Sequence, residues 1–96
     1  MEVSNDGAAT RITVAGELDL YSSPGVREQV LAAVADAPGA VILDLVAVNF
    51  LDSTGIALII AARDKAASRE VSLTIVPSAP VRKVLEVVGL GKYLRQ

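Results

Sequence analysis

The run Val41-Ile42-Leu43-Asp44-Leu45 constrains the fold of this chain more than any other stretch. Pro38 and Gly39 end whatever precedes it, and apart from Asp44 it is wholly apolar. An apolar run of strand length, without alternation, reads as a strand covered on both faces, the centre of a sheet that carries helices. The flanking segments meet that demand. Before it, Ser22 and Ser23 precede Pro24, a helix start with a capping hydroxyl and a proline in the first turn. Val26, Val30, Leu31 and Val34 then recur on one helical face down to about Asp36. After it, a connection through Asn49, Phe50 and Leu51 leads to Asp52-Ser53-Thr54-Gly55. There Ile56, Ile59, Ile60, Ala66 and Ala67 mark a second helix over roughly Thr54 to Ser68.

The rest of the chain extends the alternation. Asn5, Asp6 and Gly7 form a turn between Glu2–Ser4 and Thr10–Ala15, which reads as an antiparallel hairpin at a sheet edge. Val71 to Val76 is a further strand. Ser78 and Pro80 then open a third helix, in which Val81, Val84, Leu85 and Val88 fall on one face before Gly89 closes it. The tail from Leu90 to Gln96 adds at most a short turn or strand. Strand and helix in regular succession predict a parallel sheet made mixed by the hairpin, and 96 residues suit one domain.

Composition removes whole classes of chemistry. The chain has no His and no Cys, so Ser-His-Asp triads, thiol nucleophiles and the usual structural zinc sites are unavailable. No Ser has a Lys three residues later, which weakens a Ser-Lys dyad. Gly89-Leu90-Gly91-Lys92 lacks the spacing of a phosphate loop and reads as a helix stop followed by a turn. A net charge of −2, from 9 basic and 11 acidic residues, supplies no basic stripe for direct nucleic-acid binding or an anionic membrane surface. The longest stretch without a charged residue, Val71 to Val81, contains two prolines and falls short of the roughly 20 apolar residues of a spanning helix. The start of the chain, Met1-Glu2-Val3 with Asp6, lacks the basic and apolar regions of a secretory signal, so the expected location is cytoplasmic.

In sheets of this kind, functional groups collect where the chain leaves a strand's carboxyl end for a helix. Two segments fit: Gly16-Glu17-Leu18-Asp19-Leu20, with two carboxylates, and Asp52-Ser53-Thr54-Gly55. They are expected side by side. Together with the strand Val41–Leu45, and with Pro77-Ser78-Ala79-Pro80-Val81 and Val87-Val88-Gly89-Leu90 near the end, they resemble the STAS-domain anti-sigma factor antagonists over nearly the whole chain. The resemblance implies an α/β fold of STAS type, with a mixed, mostly parallel sheet of four to five strands and helices packed against it, as one domain over residues 1–96. It also implies a non-enzymatic, cofactor-free regulator of transcription in partner-switching circuits such as those of stress response and sporulation. The unphosphorylated protein would bind an anti-sigma factor that is also a serine kinase, freeing a sigma factor. Phosphorylation at Ser53 would end that binding, and a PPM-type serine phosphatase would reverse it. Asp19, Asn49, Asp52, Ser53, Thr54 and Gly55 are the implied partner-binding positions, and the protein is expected as a monomer or weak dimer.

The residues leave alternatives at each position. On local sequence alone Ser53 is an ordinary helix cap. As a phosphosite it would set the phosphate at a helix N-terminus, where the dipole and free N–H groups accommodate it. Gly55, without a side chain, would let a kinase approach the backbone closely. Asp19 is as much a turn residue as a partner contact, and Glu17 reads as a solvated charge. Asp44, inside an apolar strand, must reach an end of the strand or find a hydrogen bond. Tyr21 and Asn49 flank the two motifs. Two other functions compete: an unphosphorylated STAS interaction subunit of a transport or signalling assembly, and a metal or phosphoryl-receiver site using Asp52 and Asp19 as a carboxylate pair.

Overall fold

The computed structural model describes residues 1–95. In order they form β1 (Glu2–Asn5), β2 (Ala9–Leu18), α1 (Ser23–Asp36), β3 (Ala40–Leu51), α2 (Ser53–Ser68), β4 (Ser72–Pro77) and α3 (Ala79–Val87), then a 3₁₀ turn over Gly91–Tyr93. The strands make one four-stranded sheet in the order β1-β2-β3-β4, with β1 antiparallel to β2 and the other two pairings parallel. Gly7, at φ +93°, takes the left-handed conformation in the β1–β2 turn, and the Asp6 carboxylate accepts the Ala9 N–H at 3.3 Å. The mixed α/β sheet expected from the sequence is therefore present. No helix among the described residues is long and apolar enough to cross a membrane.

The register shows how the sheet is covered. Thr10, Val41 and Leu73 lie in one row across β2, β3 and β4, and Ile12, Leu43 and Ile75 in another; all are buried. They form one core with Val30 and Val34 of α1, Leu58, Ile59, Ala62 and Ala66 of α2, and Val81 and Leu85 of α3. The intervening rows, Arg11-Ile42-Thr74 and Thr13-Asp44-Val76, point the other way and are only partly buried. β3 is thus closed on one face and half-open on the other, unlike the strand covered on both faces that its apolar run predicts. Ile42 is apolar yet lies on the half-open face beside Arg11, and this is why the run hides its own alternation. Asp44 does find partners there: Arg11 at 2.7 Å and the Val46 N–H at 3.0 Å. Burial raises its pKa, but the Val46 N–H and the Arg11 guanidinium outweigh that and hold it below the usual carboxylate value.

β3 is also longer than the sequence suggests. Asn49, Phe50 and Leu51 belong to it, and Gly16, Glu17 and Leu18 belong to β2; neither triplet is a connection. Side-chain patterning misses both because the ladder is irregular. Thr13 pairs with Asp44 but Ala15 with Ala47, and Gly16 pairs with Val48 but Glu17 with Phe50, so β3 contributes one extra residue at each of two places. The second is Asn49. A bulge breaks the two-residue period that identifies a strand from sequence.

α1 begins and ends where predicted, but Ser22 does not cap it: its hydroxyl donates to the Glu17 carbonyl at 2.6 Å instead. Ser78 does cap α3, accepting the Val81 N–H at 3.4 Å and donating to the Val48 carbonyl at 2.6 Å, which ties α3 to the bulged end of β3. Gly89, at φ +85°, closes α3, and the Leu90 N–H returns to the Leu85 carbonyl, with both leucines buried. Of the tail, Leu94 bridges to Ile75 beside β4 and the Arg95 N–H donates to the Ile75 carbonyl at 2.8 Å; Gln96 lies outside the described residues.

Candidate functional site

β3 and α2 are separated by one residue, Asp52, so the end of the strand places the first turn of the helix directly. Asp52 is extended, at φ −103° and ψ −169°, and is the N-cap of α2. One carboxylate oxygen accepts the Thr54 N–H at 2.9 Å, the Gly55 N–H at 3.2 Å and the Thr54 hydroxyl. The other accepts the Leu20 N–H at 3.1 Å, from the segment joining β2 to α1. The Asp52 N–H itself donates to the Leu18 carbonyl at 3.1 Å, which extends the β2–β3 pairing to the helix start. The Thr54 hydroxyl, followed by these backbone donors, holds the Asp52 carboxyl below its ordinary pKa. The carboxylate is therefore ionised at neutral pH and its acceptor capacity is largely spent within the chain.

The other segment is built the same way. One oxygen of Asp19 accepts the Tyr21 and Ser22 N–H groups, each at 3.0 Å, and the Asp19 carbonyl accepts the Ser23 N–H at 2.9 Å. This is an Asx turn that launches α1. Of the two roles open to Asp19 from sequence, turn chemistry is the one its contacts display. Ser23 is buried, and its hydroxyl oxygen lies 3.3 Å from that of Thr54, so the N-termini of α1 and α2 meet. The two motifs do sit side by side, joined by Leu20 to Asp52 and by Ser23 to Thr54.

Within this frame Ser53 stands apart. The cap that local sequence assigns to Ser53 is held instead by Asp52, because Asp52 is the extended residue at the strand end, and Ser53 is already the first residue of α2. It is exposed, and its hydroxyl makes no hydrogen bond to any described residue. Thr54, by contrast, is partly buried with its hydroxyl engaged. Gly55 is buried, and a Cβ there would lie 2.5 Å from a Leu51 methyl, 2.7 Å from the Leu18 carbonyl oxygen and 2.9 Å from the Leu18 Cβ. The glycine serves contact between α2 and the ends of β2 and β3. It is not an opening for an approaching enzyme, and that expectation is corrected. Asn49 and Glu17 are exposed, Asn49 as the bulge residue.

Sequence reasoning passed over two further residues at this end, Leu20 at 63% exposure and Phe50 at 49%; they join Tyr21, at 89%, as apolar surface around Ser53. Phe50 could not be separated from core by pattern because it lies in the run Phe50-Leu51. Leu20 carried a usable signal, being a large apolar residue in a turn otherwise held by Asp and Ser side chains.

A family model described as "Mlab, STAS domain" matches residues 1–96. The anti-sigma-F factor antagonist RsfB of Mycobacterium tuberculosis is 28% identical over 93 residues, spanning 97% of this chain and 76% of that protein. The crystal structure of an anti-sigma factor antagonist from Mycobacterium paratuberculosis superposes with a TM-score of 0.86 at 31% identity, covering 97% of this chain and 80% of the other. The anti-sigma factor antagonist SpoIIAA in its unphosphorylated form superposes with a TM-score of 0.79 at 23% identity, covering 98% and 84%, a likeness of fold. The Bacillus cell fate determinant SpoIIAA in its phosphorylated form gives a TM-score of 0.74 at 22% identity, covering 98% and 87%.

Proposed function

The chain belongs to the STAS domain family, and from that premise we propose that it is an anti-sigma factor antagonist switched by phosphate on Ser53. The unphosphorylated form binds an anti-sigma factor that is also a serine kinase, and so releases a sigma factor. Phosphorylation of Ser53 ends the complex, and a PPM-type serine phosphatase restores it. The antagonist is the substrate of both reactions and carries out neither.

The observation that carries this reading is the division of labour around the helix start. Asp52 and Thr54 are committed to the fold, whereas the Ser53 hydroxyl between them is exposed and unbonded. A phosphoryl group can be added without breaking a hydrogen bond, at the positive end of α2. It brings a charge of about −1.5 to −2 beside the ionised Asp52, in a surface whose exposed apolar residues, Leu20, Tyr21 and Phe50, suit a protein partner. Desolvating that charge in an interface opposes binding. A penalty of about 3 kcal/mol weakens a complex roughly a hundredfold, enough for a switch. Asn49 and the Asp19 turn frame the same surface, and Asp52, Thr54 and Gly55 hold its shape.

The test is capture from lysate with wild-type, Ser53→Ala and Ser53→Asp proteins as bait, with mass spectrometry of the bound proteins and of the wild-type bait. Recovery of an ATP-binding serine kinase by the first two and not by Ser53→Asp, with phosphate on Ser53 of the wild type, is the expected result. Capture of one unrelated partner by all three, with Ser53 unmodified in the presence of ATP, would favour a binding subunit that is never phosphorylated.

A further inference from the structure

The surface beside Ser53 is largely apolar, with one cation in the wall of an adjoining groove. A groove of about 390 Å³ lies at the far end of α2, but a smaller one of about 280 Å³ lies at its start, between the first turns of α1 and α2, lined by Ser23, Pro24, Arg27, Thr54 and Ala57. Thr54 and Ala57 stand one and four positions after Ser53, so this groove opens next to Ser53 on the same helix. Arg27 is the one charged residue in its wall. The two side-chain ion pairs among the described residues are Arg11–Asp44 and Arg63–Asp64, and Arg27 belongs to neither. It is an exposed guanidinium without a carboxylate partner, at the junction of two helix N-termini.

Its direction follows from helix geometry. Side chains of a helix lean toward its N-terminus, so Arg27, one turn into α1, covers the level of Ser23. Ser23 and Thr54 are in hydroxyl contact, so that is also the level of the α2 start. Packed helices lie about 8–10 Å apart, a gap that a long guanidinium side chain from one wall and a phosphoserine from the other can close between them. The carboxylates carried by the segments that lead into the two helices, Asp19 and Asp52, both accept backbone N–H groups, and Glu17 and Glu28 are exposed. Among the residues lining the groove, Arg27 is the cation that could meet a new dianion.

We infer that Arg27 receives the phosphate carried by Ser53, so that the modified serine is held across the α1–α2 groove by a guanidinium of its own chain. The inference rests on the reading of Ser53 as the phosphate acceptor. An Arg–phosphate contact is charge-assisted and can be bidentate, which gives the modified group a fixed place on the surface. It also favours the dianion over the monoanion, keeping more of the mark doubly charged near about pH 6, where an unpaired phosphoserine is about half-protonated.

The test installs phosphoserine at position 53 during translation, so it needs no kinase, and follows the phosphate titration by ³¹P NMR in the full chain. Wild type is expected to titrate about 0.5 pH units below Arg27→Gln at low salt, a roughly threefold difference in proton affinity, with Arg27→Lys between them. The difference should shrink as salt is raised. Arg69→Gln makes the same charge change at the other end of α2, about 24 Å away, and should titrate with wild type. Coincident titrations for wild type and Arg27→Gln, or an equal displacement in Arg69→Gln, would overturn the assignment. Either result is independent of the capture experiment, which tests whether Ser53 is modified in the first place.

Discussion

Four consecutive residues, Asp52 to Gly55, do four different things, and the differences come from where each side chain points when α2 leaves the sheet. Asp52 caps, Ser53 faces outward, Thr54 turns in toward Ser23, and Gly55 lies against Leu18 and Leu51. The motif was legible in the sequence; the assignment of roles was not, because it depends on the path of β2, residues away in sequence but in contact with the helix start. Gly55→Ala is accordingly expected to destabilise the fold by about 1–3 kcal/mol through overpacking, read as a lower urea midpoint with the slope unchanged. Asp52→Asn tests the cap. The Asp52 carboxyl is held below its ordinary value, so its contribution is complete above the unfolded-state pKa of about 3.9 and is lost as pH falls through the folded-state value. The Tm deficit of Asp52→Asn should be constant from neutral pH down to about pH 4 and should begin to narrow only below it. A deficit independent of pH would mean that the charge plays no part.

Elements were placed well by sequence wherever the ends carry local chemistry. α2 and α3 finish in the same motif: the Val71 N–H bonds the Ala66 carbonyl and the Glu70 N–H that of Ala67, just as Leu90 bonds Leu85 and Gly89 bonds Glu86. In α3 the left-handed position is Gly89, and it marks the stop from sequence alone. In α2 it is Glu70, at φ +57°, a residue with no preference for that conformation. Glu70→Gly should therefore raise stability by about 0.5–1 kcal/mol, seen as a higher Tm, because it removes the backbone penalty and the side chain is exposed. A lower Tm would indicate that the gain in unfolded-state entropy outweighs the relieved strain. Strand ends were the harder case. Alternation in β2 and β3 is interrupted by two irregularities in their pairing, so the last residues of both strands read as connections.

At the scale of the whole molecule, the order of elements, the mixed sheet and most of the core follow from periodicities that each segment carries within itself. Val81 and Leu85, or Val30 and Val34, are core in the structure as they are in the pattern. The resemblance carried by Gly16-Glu17-Leu18-Asp19 and Asp52-Ser53-Thr54-Gly55 pointed to the family before any contact was known. What needed the tertiary structure was everything set by two segments meeting. The helices gather on one face of the sheet and leave Asp44 to pair with Arg11 on the other; Leu20 reaches Asp52; Thr54 reaches Ser23. A hydrophobic period reports which side of an element is apolar, and so determines the elements and their burial. It contains nothing about which polar group lies opposite, because that partner is chosen by the packing angle and register of distant chain, and it is these pairings that leave Ser53 exposed.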